Sequence, residues 1–196
     1  MFAPRATEED DKLFGLNEPA HLFAKLCWEV RELRLAISRR HSIGFAMLNE
    51  PAFHVFNCAV SAWHLRDWVW NSLSELQRVE ACKMLGSRAT RDSFFETIDR
   101  RFRAIHICGQ IANGSKHLSL WPKFEDPTVQ TKVNWETETC TTGTPCSAPL
   151  DNYRDHLVVL DNGAERSVIE VFEMAITNWQ GMLSALWLIE GSMADF

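Results

Sequence analysis

No stretch of this chain approaches the ~20 consecutive apolar residues that a membrane-spanning helix requires. The N-terminus, MFAPRATEEDDK, also lacks the basic and then apolar order of a secretory leader. A cytoplasmic protein with no membrane partner is therefore expected. Cationic excess is missing too. The formal net charge is −6, with 26 acidic against 20 basic side chains, which disfavours non-specific binding to nucleic-acid phosphates. Two local basic clusters, Arg31, Arg34, Arg39 and Arg40 and then Arg100, Arg101 and Arg103, read as solvated helix faces before nucleic-acid or anion patches. Tyrosine is nearly absent: one stands beside eight Trp and twelve Phe, which implies an aromatic-rich core or interface. There is no disulfide framework. Cys27, Cys58, Cys82 and Cys108 sit singly in helix-like segments as buried thiols would, and Cys140 and Cys146 lack the second pair of a structural zinc site. Signatures of cofactor and hydrolase chemistry are missing as well, with no His-Glu-x-x-His, Gly-x-Ser-x-Gly or Gly-x-Gly-x-x-Gly. Gly109 to Lys116 has its Ser and Lys in the wrong order for a phosphate loop, and Glu18-Pro-Ala-His21 is half of a di-iron pattern. No cofactor is expected.

What is present is helical periodicity. Residues 1–16 read as a loosely ordered start, and 17–196 as a single domain. Leu22, Leu26, Val30, Leu33 and Ile37 form the apolar stripe of a first helix, Glu18 to about Ser38. Asn49 before Glu50-Pro51 starts a second, to about Leu73, and Ser74-Glu-Leu-Gln77 is a capping box opening a third that ends at Gly86. Thr90 caps a long fourth helix ending near Asn113-Gly114 or slightly beyond. Prolines then cluster, and the segment 122–165 reads as a β insertion. Its strands are Thr128 to Thr137 and Leu157 to Leu160, followed by the turn signal Asp161-Asn162-Gly163. Ser167-Val-Ile-Glu170 opens a last helix through Ile189. The expected fold is mainly α: a four- to five-helix bundle with a small antiparallel β insertion before the last helix.

Two of these helices carry polar residues at steps of mostly three and four, where a buried face should be apolar. The first line is Asn57, Ser61, His64, Asp67 and Asn71; the second is Asp99, Arg103, His106, Gln110, Asn113 and His117. Such groups cost stability unless they satisfy one another or a ligand. Asp67, three residues after His64, can orient an imidazole acting as a base or a metal ligand. Gln110, Asn113, Lys116 and His117 would supply amide, cationic and imidazole groups from the facing helix. Two chemistries fit: acid–base catalysis by a His pair with Lys116 stabilising a developing anion, or a divalent metal held by His and Asp. The same stripes can instead be a seam that only fixes register.

Arg101-Phe-Arg-Ala-Ile-His106 places an Arg four residues ahead of a His within a helical chain; Arg100 and the Arg34 to His41 stretch give related spacings. In this the chain resembles the HEPN superfamily, many of whose members are metal-independent ribonucleases of toxin–antitoxin and phage-defence systems. The resemblance implies Arg101 binding phosphate, His106 acting as acid or base, RNA as partner and a homodimer joining two sites. Two other expectations stand beside it. One is a non-catalytic, phage-encoded or regulatory interaction protein with a structural polar seam. The other is a metal-dependent hydrolase in a helical bundle.

Overall fold

The computed structural model describes residues 14–38, 50–116, 125–137 and 153–189. Six helices and three strands appear among them, in the order α1 (Pro19–Ser38), α2 (Glu50–Ser72), α3 (Glu75–Leu85), α4 (Arg91–Arg101), α5 (Arg103–Lys116), β1 (Val129–Thr137), β2 (Tyr153–Asp161), β3 (Ala164–Ser167) and α6 (Val168–Ala185). The mainly helical fold with a small antiparallel sheet before the last helix is the expected one. No helix among the described residues is long and apolar enough to cross a membrane. The loosely ordered start expected for residues 1–16 lies almost wholly outside the described residues.

The local signals explain most boundaries. Both capping boxes form: the Ser74 and Ser167 side chains accept from backbone N–H groups of the next turn, and Gln77 and Glu170 reach back. Thr90 caps α4 through Ser93 N–H. Gly86 ends α3 in the left-handed region, φ 72°, where glycine has no Cβ penalty. Asn162 and Gly163, both at positive φ, make the two-residue turn that pairs β2 with β3 from Asp161↔Ala164 onward. β2 is longer than the pattern of Leu157 to Leu160 suggests, because β1 pairs along its whole length, from Val129↔Asp161 to Thr137↔Tyr153. β3 has too few apolar residues to announce itself; the hairpin creates it.

One boundary departs from expectation. The long fourth helix is two helices, α4 and α5, because Phe102 (φ −119°, ψ 83°) breaks it. α5 then runs to Lys116, slightly beyond Asn113-Gly114, where an end was expected. The core shows why the break is tolerated. Phe94 and Ile98 are buried before it, and Ile105, Ile107 and Cys108 directly after it.

α2 is the central helix, packed against α1, α5 and α6. Ala59 and Ala62 are fully buried on it and let neighbours approach, and buried Trp179 of α6 donates its indole N–H to the Ala62 carbonyl at 2.9 Å. Cys58, Cys82 and Cys108 are free and buried, and Cys27 is free and half-buried, as expected; Cys140 and Cys146 lie outside the described residues. α2 and α5 approach closely at Gly109. A Cβ on Gly109 would lie 2.4–2.7 Å from three atoms of the Trp63 ring. That ring cannot retreat freely, since the Arg66 guanidinium covers it 3.2 Å from its centroid. Gly109→Ala should therefore destabilise the fold by about 1–3 kcal/mol through overpacking, outweighing the ~1 kcal/mol that alanine gains in a helix interior. Urea denaturation checks this; an unchanged or higher midpoint would contradict the packing.

Candidate functional site

The polar line of α5 has a common target. Arg103 Nη1 donates to Asp126 Oδ2 at 2.7 Å, and His106 Nε2 lies 2.9 Å from the same oxygen. Gln110 accepts from the Asp126 backbone N–H at 3.0 Å. The other carboxylate oxygen accepts from the Thr128 hydroxyl at 2.6 Å and its N–H at 2.9 Å. Arg103 also bonds buried Asp161, through Nε at 3.0 Å, and the Thr128 hydroxyl at 2.8 Å. Asn162 N–H donates to the Thr128 carbonyl at 2.9 Å. Three residues of α5, spaced three and four apart, thus clamp the start of β1 and the end of β2 onto the bundle. Hydrogen bonds from the Thr128 hydroxyl above all, then from Arg103, hold the Asp126 carboxyl well below the usual carboxylate range.

The polar line of α2 divides among several partners. Ser61, buried, donates to Glu29 Oε2 at 2.6 Å and accepts from Lys25 Nζ at 2.8 Å; Lys25 also pairs with Glu29, itself buried. Lys25 donates to both, and the hydroxyl has no route to solvent, so this triad pins α1 to α2. Asp67 does not orient His64. It pairs with Arg91 of α4 at 2.6 Å and lies 3.7 Å from Arg66. Arg66 is held between the Trp63 and Phe95 rings and pairs with Asp99 at 3.4 Å. Buried Arg66 Nε and Asp99 Oδ1 make no hydrogen bond, and burial above all raises the Asp99 carboxyl.

His64 meets a cation. Its Nε2 lies 3.4 Å from Lys116 Nζ, at the last residue of α5. Burial first, and the Lys116 ammonium second, hold its imidazole below the ordinary value, against a smaller opposite pull from Asp67. The ring is thus neutral at pH 7.

The expected site residues consequently separate. His64 and Lys116 come together, with Asn113 half-buried one turn before Lys116 on the same helix. Asp67 is turned to Arg91, and His106 to Asp126. Arg101 is exposed over the Phe102 ring, on the far side of the helix break from His106. His117 lies outside the described residues. Among the described residues no three His, Cys, Asp or Glu side chains gather as a metal ion would need. Sequence reasoning missed Lys25, Glu29, Asp126 and Asp161. Asp126 sits in an aperiodic segment between Glu125 and Pro127, and its only signal was the unpaired polar stripe that needed it.

Fold and site together define a mainly helical protein whose inter-helical polar groups are largely satisfied within the chain. Comparison with family models, curated proteins and solved structures finds no match.

The depressed Asp126 carboxyl sets a pH dependence. Its contribution is complete above the unfolded value near ~4 and is lost progressively as pH falls toward the lower folded value. Asp126→Asn should lower stability at pH 7 and flatten the loss between about pH 5 and pH 2. Denaturation midpoints across that range are the measurement; parallel curves for variant and wild type would refute the assignment.

Proposed function

We propose that this chain is a non-catalytic interaction protein of the phage-encoded or regulatory kind, its inter-helical polar residues serving the fold. One observation carries the reading: Arg103, His106 and Gln110 all turn to the carboxylate and backbone amide of Asp126. A histidine working as acid or base must present its ring to a substrate. The His106 Nε2 is engaged at 2.9 Å, and Arg101 faces the Phe102 ring instead.

A second reading, HEPN-like RNA cleavage, draws on a different observation. His64, held neutral beside an ammonium, has the form of a general base with a neighbouring cation. The imidazole would take the proton of an RNA 2′-hydroxyl as its oxygen attacks the adjacent phosphorus, and Lys116 would stabilise charge building on the non-bridging oxygens. The P–O5′ bond would break, with the 5′-oxygen taking the proton back from the imidazolium. RNA as partner and a homodimer as working form belong to this reading.

Melting and RNA-cleavage assays on wild type, Arg101→Ala, His106→Ala and His64→Ala separate the two. We expect no cleavage by any of them. His106→Ala should cost roughly 0.5–1.5 kcal/mol for the hydrogen bond lost from partly buried Asp126, at about 2–4 °C of Tm per kcal/mol for a domain of this size. Wild-type cleavage abolished in His106→Ala with its Tm intact would overturn the first reading. Cleavage lost only in His64→Ala would establish the second.

A further inference from the structure

We infer that the His64–Lys116 pair, between α2 and α5, is a binding site for a phosphate group carried by a small molecule or a nucleic-acid strand. This deepens the interaction-protein reading, and rests on it only for the site's role. Among the described residues, no carboxylate lies within ion-pair distance of Lys116, whose one polar contact is His64 Nε2 at 3.4 Å. The other charges acting on the His64 ring are Lys25 from α1 and Arg66 and Asp67 from α2 itself. Each of these is already matched: Lys25 with Glu29, Arg66 with Asp99, and Asp67 with Arg91. Among the described residues the charges around the ring therefore balance except for one ammonium, so an arriving anion has a cation to neutralise and none of these carboxylates to displace.

Geometry adds a second donor. At 3.4 Å the ammonium is only loosely engaged by the imidazole, at the long limit of a hydrogen bond. An oxyanion set against both groups accepts from Lys116 and draws a proton onto Nε2, turning the ring from acceptor into donor. A phosphate group, with several acceptor oxygens on one centre, serves two donors from two helices at once. Half-buried His64 and exposed Lys116 leave one side open to it. Neither group is needed to complete the α1–α2 triad or the Asp126 clamp, so the pair is free for such a ligand.

Binding then takes up a proton. An anion that raises the His64 value from its lowered starting point is bound more weakly as pH rises through the bound-state value. Dimethyl phosphate tests this cleanly because its own charge is constant near neutrality; sulfate and a short single-stranded oligouridylate complete the probes. We expect all three to move the His64 ring resonances in NMR titrations. Lys116→Met, an exposed change that should keep the wild-type Tm, should weaken dimethyl phosphate about tenfold, the worth of one charge-assisted contact. Wild-type affinity should fall between about pH 5.5 and pH 8, and His64→Gln should remove that dependence. Affinity for the RNA far above dimethyl phosphate, lost in Lys116→Met, assigns a strand; similar affinities assign a small phosphate ester. Still His64 resonances with every probe, or equal binding by Lys116→Met and wild type, overturn the inference. Cleavage of the oligouridylate during titration would overturn the interaction-protein reading instead, and leaves the sulfate and dimethyl phosphate results to judge the site.

Discussion

A helix packed on several sides by others must find partners inside the fold for the polar side chains it buries, and α2 is that helix. Much of the rest follows from this constraint. Ser61 draws Glu29 and Lys25 across from α1, where no apolar periodicity would place a buried carboxylate. Arg66 is accommodated by stacking, between Trp63 and Phe95, with Asp99 of α4 as counter-charge. The stack continues through Trp63 onto Gly109, so the same arginine that satisfies α2 also sets how closely α5 can approach. Trp179 adds an anchor from α6 by using a carbonyl of α2 itself.

The sheet is attached by a different economy. Its strands pair with one another through their own backbones, and only β2 and β3 are joined by a tight turn. What fixes it to the bundle, besides apolar residues such as buried Val158 and Val159, is a cluster of charges around Asp126 and Asp161. Net gains from such polar clusters are modest, but removing one partner leaves the partly buried groups around it short of a contact. The cluster therefore acts less as glue than as a register pin: only one placement of β1 and β2 satisfies Arg103, His106 and Gln110 together.

Legibility divided along the same physical line. Caps, turns and amphipathic stripes are local, and Ser74-Gln77, Ser167-Glu170, Asn162-Gly163 and the stripe of α1 were all readable as they stand. The break at Phe102 was not, since no proline or glycine marks it and the apolar residues on either side continue a helical pattern. For the site, spacing correctly picked out the lines of α2 and α5 but could not say what each residue faces. His64 and Asp67 share a helix face at three apart, yet Arg91, far along the chain, takes the carboxylate. His106 likewise found Asp126, in a segment without periodicity. Side chains three apart on one helix compete with every element packed alongside, and a sequence read helix by helix does not contain that competition.

The buried thiols have a further consequence. Cys58 on α2 and Cys108 on α5 are enclosed in the core, and burial pushes both well above the ordinary thiol range. Thiolate is the reactive form, so neither sulfur meets an alkylating reagent until its helix leaves the bundle. They are native clocks of opening, set on the two helices that share the Trp63–Gly109 contact. Their relative labelling rates would report whether α2 and α5 part from each other before the rest of the bundle lets go, without a single introduced probe.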